Sequence, residues 1–148
     1  MLEISYSDGV CGITTKHSTI NIDVARSEIE AGLDVGVIRG AGEFEIGEAS
    51  VLGMAVEDGG VVYTVEEAGI RIGLIGTTEV GLDDLGPIDV LITSSVKAVK
   101  EVSPKIVVVM AGEEKFEEEF KIELKHEKRL KIKNATSLPV ALEIYKLG

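Results

Sequence analysis

The sequence has one cysteine, two histidines, no tryptophan and no glutamine in 148 residues. Each shortage excludes something. A lone Cys11 forms no intrachain disulfide, and a thiolate zinc site needs several cysteines. His17 sits in the polar stretch Thr15-Lys16-His17-Ser18 and His126 among Lys125, Glu127, Lys128 and Arg129. Both read as surface residues. With aromatic residues at 4%, the core is built mainly from Val, Ile, Leu and Ala. No apolar run approaches the ~20 residues of a membrane span, and the N-terminus MLEISYSDG lacks the pattern of a secretory signal. A cytoplasmic protein is the expectation. There is no excess of positive charge either: the formal net charge is −11. A nucleic-acid binder displaces counterions with a cationic surface, and an anionic membrane attracts the same, so neither partner is expected. Residues 1–111 carry 18 acidic and 7 basic side chains, whereas residues 112–148 carry 8 of each, so the C-terminal segment reads as a solvated mixed-charge surface. Absent Gln beside abundant Glu and Lys leans towards a thermophilic composition.

What is present is a run of short strands. Leu2–Tyr6 alternates, Ser7-Asp8-Gly9 turns, and Val10–Thr15 and Thr19–Val24 complete a β-meander. Ala25–Gly32 has room for one or two helical turns closed by Gly32. Asp34–Ile38, Phe44–Ile46, Ala49–Val56, Val61–Glu66 and Ile70–Ile75 read as further strands, with Asp58-Gly59-Gly60 as a hairpin turn. Ile88–Thr93 and Lys105–Met110 are then nearly continuous apolar runs on either side of a helical Ser94–Val102. That is the pattern of a βαβ unit with two buried parallel strands. Glu113–Phe120 spaces Phe116 and Phe120 four apart, as a helix with one apolar stripe or a bent strand. Ile122–Lys125, Arg129–Lys133 and Val140–Lys146 are polar strands. No linker divides the chain, and residues 1–148 are expected to form a single domain.

Several segments, in order, resemble one branch of the metallo-β-lactamase superfamily, the small Zn-dependent hydrolases that include ascorbate-phosphate-lactonase-like proteins. MLEISY, Cys11 and INID at 20–23 look like that family's first hairpin. GAGEFEIGEASVLGM at 40–54 resembles its GPGEYEVGG strand–turn–strand segment, and VVYTVEEAGIRIGLIG at 61–76 the strands leading to its Gly-Asp motif. LGPIDVLIT at 85–93 and SPKIVVVM at 103–110 resemble its last βαβ unit, and LKIKNATSLPVALEIYKL at 130–147 its C-terminal strands. The resemblance implies an α+β, four-layer αββα sandwich with two packed, mainly antiparallel sheets, here reduced because the chain is short.

The same resemblance implies a metal centre whose ligands are missing. The family's His-x-His-x-Asp-His signature would follow Asp34–Ile38, but Val37-Ile38-Arg39 runs straight into Gly40. Its His-Asp pair falls on Val56-Glu57-Asp58, its bridging Asp on Thr77, and its last His on Ala111. Glu57, Asp58, Asp83 and Asp84 have the chemistry for a hard cation, but read better as turn and helix-flanking residues. Cys11, in an apolar strand with no base beside it, reads as a buried thiol rather than a nucleophile. GAGEFEIG lacks the Lys-Ser/Thr of a phosphate loop.

The expectation is a pseudoenzyme with no catalytic residues, no metal and no cofactor, retained as a binding or assembly module and forming homo-oligomers. A small-molecule binder using the vestigial pocket, with Glu57, Thr77, Thr78 and Ala111 as candidate contacts, is the alternative. A hydrolase with relocated chemistry is a third reading.

Overall fold

The computed structural model describes residues 1–16, 18–31, 37–56, 61–76 and 85–148. Its strands are β1 (Leu2–Ser7), β2 (Val10–Thr14), β3 (Thr19–Asp23), β4 (Glu28–Glu30), β5 (Val37–Arg39), β6 (Gly42–Ile46), β7 (Ala49–Ala55), β8 (Val61–Glu67), β9 (Ile70–Ile75), β10 (Val90–Thr93), β11 (Ile106–Val109), β12 (Lys125–Glu127), β13 (Leu130–Ile132) and β14 (Glu143–Leu147); the helices are α1 (Val96–Val102) and α2 (Glu113–Phe120). They form a six-stranded sheet in the order β13-β1-β2-β3-β4-β5 and an eight-stranded sheet in the order β12-β14-β11-β10-β9-β8-β7-β6.

Alternation decides which face of each strand meets the other sheet. In β1–β3 the inward residues Leu2, Ile4, Cys11, Ile13, Ile20 and Ile22 are buried. They pack against Val51, Tyr63, Val65, Ile72, Leu74, Val90, Ile92 and Val108 of the larger sheet. Because side chains alternate, the outward residues of the same strands are Glu3, Ser5, Thr14, Thr19, Asn21 and Asp23, all at least partly exposed. Cross-strand ion pairs run over this surface: Glu28 to Arg39 at 3.1 Å, and Glu3 to Arg129 at 3.5 Å. The smaller sheet thus turns a polar face to solvent.

The larger sheet changes character along its width. From β6 to β9 its pairings are antiparallel; β9, β10, β11, β14 and β12 pair in parallel. β10 and β11 are buried on both faces, as their unbroken apolar sequence requires. A second cluster on the outer face joins Leu91, Val107, Val109 and Ile144 to Ala98 and Val99 of α1 and Phe116 of α2. The Phe116 and Phe120 rings stack at 6.2 Å, so Glu113–Phe120 is the helix and not the bent strand. Ser95 starts α1, its side chain accepting from the Ala98 N–H at 3.1 Å. Ser103 ends the helix in left-handed backbone, φ 52°, just before Pro104.

Two packed sheets, antiparallel in eight of their twelve strand pairings among the described residues, are therefore present as expected. The reduction falls on one layer: among the described residues both α-helices lie on the larger sheet and none on the smaller. Two local expectations are corrected, and one strand finds its sheet. Helical turns within Ala25–Gly32 are replaced by a turn and β4, because Ser27 is left-handed (φ 53°) and Ile29 between two glutamates pairs with Ile22 and Ile38. The strand expected at Ile122–Lys125 lies later, at Lys125–Glu127, since Lys121 ends α2 in left-handed backbone. The strand at 129–133 joins the smaller sheet, where Leu130 and Ile132 are buried beside β1. No helix among the described residues is long and apolar enough to cross a membrane.

Candidate functional site

Parallel pairing brings the C-terminal ends of β9, β10 and β11 to one end of the sandwich. Thr93 is in register with Ile75 on one side and Val109 on the other, so Gly76, Ser94 and Met110 follow side by side. This is where an open sheet of parallel strands most readily presents ligand-binding groups. A compact hydrogen-bond network occupies it. The Gly76 carbonyl accepts from Thr93 Oγ1 at 3.2 Å, Ser94 Oγ at 3.1 Å and the Ser94 N–H at 3.3 Å. Thr93, fully buried, in turn accepts from the Ser95 N–H at 3.0 Å. Both hydroxyl protons are thus committed to one carbonyl, and neither hydroxyl is hydrogen-bonded to a base among the described residues.

Further along this end, Lys146 Nζ donates to the Met110 carbonyl at 3.4 Å and pairs with Glu113 at 2.9 Å. The hydrogen bond from Lys146 and its charge hold the Glu113 carboxyl below the usual range. A depression of about 410 Å³ opens beside Ser94 and Ser95, lined by Lys97, Lys100, Lys115 and Glu119. Lys100 and Glu119 pair with each other there.

Of the four residues assigned to the vestigial pocket, Ala111 is exposed immediately after β11. Glu57, Thr77 and Thr78 lie outside the described residues, as do His17, Asp58, Asp83 and Asp84. The strand leading into Glu57 and the strand leading into Ala111 end on the same side of the sheet but four strand positions apart, roughly 19 Å at the usual spacing. The hydroxyl network was not anticipated from sequence. Its signal is the run Thr93-Ser94-Ser95, three small hydroxyl residues at the end of an apolar strand.

A computed superposition places this architecture among known folds. A Thermotoga maritima protein, classed provisionally as a Zn-dependent hydrolase of the metallo-β-lactamase superfamily, matches it over 99% of this chain and 98% of its own, with a TM-score of 0.74 and 17% identity. The fold is that of the metallo-β-lactamases. No protein-family model and no curated protein matches the sequence.

The Thermotoga maritima protein is classed as Zn-dependent, and zinc takes Cys, His or carboxylate ligands converging at short range. The described residues do not supply such a set. Cys11 is fully buried in β2, and burial pushes its thiol up to about 12, so it stays protonated. His126 is exposed on β12, at the edge of the other sheet. No three His, Cys, Asp or Glu residues among those described are grouped to hold a metal ion.

Proposed function

We propose that this chain is a metallo-β-lactamase-fold protein without hydrolase activity, a degenerate relative of the Zn-dependent hydrolases kept as a binding or self-assembling module. One observation carries the reading. The only thiol and the only described imidazole, Cys11 and His126, belong to different sheets, and His126, whose charge reaches Glu113 just beyond Ala111, is not grouped with two other metal-binding side chains among the described residues. A catalytic zinc site takes three protein ligands, and the chain's whole histidine inventory is two residues. Self-association is supported by the outer face of the larger sheet. Leu52 and Met54 of β7 are only half-buried there, beside a depression of about 220 Å³ lined by Phe44, Leu52 and Thr64. A second copy of the chain is the simplest cover for such a face.

The test is elemental analysis of protein purified without chelator, with light scattering on the same sample. The expected result is less than about a tenth of an equivalent of zinc, iron or manganese, on the ligand count a site requires. No metal-stimulated hydrolysis of phosphodiesters, lactones or thioesters should accompany it, and the mass should be that of a dimer or larger. Stoichiometric metal with hydrolysis would overturn the pseudoenzyme reading, and a monomer at high concentration the assembly reading.

A further inference from the structure

The end of the sandwich away from Ala111 holds a further cavity. It lies where the β8–β9 hairpin of the larger sheet meets β1 and β13 of the smaller one. Its volume is about 190 Å³. At ~30 Å³ per water that is on the order of six water molecules, the scale of a small solute rather than a peptide. Leu2, Ile70 and Ile132 give it an apolar floor, and Lys16, Glu48, Lys133 and Asn134 line it as well.

Glu67 also lines this cavity. It is the last residue of β8, on the face that meets the smaller sheet, and only 9% of it is exposed. Its Oε2 is buried with no hydrogen-bond partner among the described residues. A buried carboxylate is costly without a partner, because water is lost and nothing replaces it. Lys16 and Lys133 are both exposed at the same cavity, and neither forms an ion pair among the described residues. Among the described residues the cavity therefore carries one carboxylate oxygen without a partner in its wall, two lysines without ion pairs at its rim beside Glu48 and Met1, and hydrocarbon between them.

We propose that this cavity binds a small zwitterion with an apolar body, an amino acid or a close analogue. Its ammonium is held by Glu67, its carboxylate by Lys16 and Lys133, and its hydrocarbon part rests on Leu2, Ile70 and Ile132. An ammonium in the cavity would give the Glu67 carboxylate a charge-assisted hydrogen bond, the strong kind, once the carboxylate rotates to bring its enclosed Oε2 to the cavity. Nothing in this proposal depends on the metal content or assembly discussed above, since it uses the opposite end of the fold.

The test is calorimetry and amide-shift mapping on the full chain with three probes: L-leucine, isopentylamine and 4-methylpentanoate. Leucine should bind saturably and move the amides of Ile70 and Asn134. Isopentylamine, which lacks the carboxylate, should bind more weakly, and 4-methylpentanoate weakest. Glu67→Gln should weaken leucine binding at least about tenfold, the effect of one lost charged contact. It should leave the fold intact and raise Tm, because an unpaired buried charge is removed. Lys16→Ala with Lys133→Ala should weaken leucine and leave isopentylamine unchanged. No saturable binding of leucine or isopentylamine below about 10 mM, roughly the weakest affinity of practical meaning, would overturn the proposal. So would leucine binding that survives Glu67→Gln, or shifts confined to another part of the chain. A Glu67→Gln protein that loses stability would assign the carboxylate a structural role and overturn it too.

Discussion

The Tyr63 hydroxyl donates to the Ser27 carbonyl at 2.8 Å, tying β8 of the larger sheet to the turn between β3 and β4 of the smaller one. The Gly40 carbonyl lies 3.1 Å from the same hydroxyl, and the Gly40 N–H also donates to Ser27. The ring needs room to reach across. It finds it over Gly53, its cross-strand neighbour, where a Cβ would stand 2.9 Å from Tyr63 Cε1 and 3.1 Å from the Gly40 oxygen. One tyrosine and one glycine thus fix how the two sheets meet near the β3–β4 turn.

Tyr63→Phe removes the hydroxyl and keeps the ring. Stability should fall by about 1 kcal/mol, the net value of a typical hydrogen bond, since the Gly40 N–H still serves the Ser27 carbonyl. Gly53→Ala should cost more, about 1–3 kcal/mol, because the ring and a backbone carbonyl must both move. Denaturant midpoints for the two variants check the order. A Gly53→Ala protein as stable as the parent would show that the ring does not sit against this glycine.

Ser95→Ala tests the start of α1. Ser95 is buried, and its oxygen is the acceptor for the Ala98 N–H. Its loss should cost about 1 kcal/mol by the usual value of an N-cap. Ser95→Asp keeps an acceptor of similar reach, and should restore part of the loss if capping is the cause.

The βαβ unit was legible because continuous apolar runs on both sides of a short helix leave few alternatives: residues buried on both faces cannot alternate. The meander was legible for the opposite reason, since Leu2–Tyr6 and Thr19–Asp23 alternate cleanly. Ile29 was missed because a three-residue strand carries one inward side chain, too few to show a period. That Leu130–Ile132 belongs with β1 was also not readable, since partner choice depends on contacts more than a hundred residues apart in sequence. At the candidate site, the sequence supplied only an expectation, that the ligand positions implied by the resemblance are vacant. It did not reveal that Thr93 and Ser94 converge on Gly76, because that requires the parallel register of β9 and β10. Glu67 was hidden for a similar reason: a glutamate beside a turn looks solvated until the second sheet closes over it.

Alkaline pH should destabilise the protein. Burial pushes the Cys11 thiol up to about 12 and also raises Tyr6 and Tyr63; Tyr145 reaches about 12 through burial and its hydrogen bond to Glu143. Each acid is raised above its unfolded value, so its contribution is complete below the unfolded value and is lost as pH climbs through the folded one. For Cys11 the window runs from about 8.5, the ordinary thiol value, to about 12. Within it the thiol alone lowers stability by up to about 1.4 kcal/mol per pH unit. Urea midpoints should fall steadily from pH 9 to pH 11, and Cys11→Ala should flatten the decline. Native protein should also resist thiol reagents at neutral pH; rapid labelling would mean that β2 opens readily.

The outer face of β7 offers a test of self-association that spares the core. Leu52 is half-buried there, opposite Thr64 on β8 and Glu43 on β6. Glu43, Glu45 and Glu66 share its depression with Arg71 as the one lining cation among the described residues. A lysine at position 52 would therefore enter an acidic neighbourhood, and the isolated chain should tolerate it within about 0.5 kcal/mol, the usual scale for surface substitutions. A second copy of the same face packed against it would tolerate the change less, since the apolar contact of Leu52 is lost and the ammonium must shed water to be enclosed. Leu52→Lys should thus convert the oligomer to monomer in light scattering while Tm, measured where both proteins are monomeric by dilution, stays near the parent's. An oligomer unaffected by Leu52→Lys would place the interface elsewhere, and the polar outer face of the smaller sheet, crossed by the Glu3 to Arg129 and Glu28 to Arg39 pairs, would be the next surface to substitute.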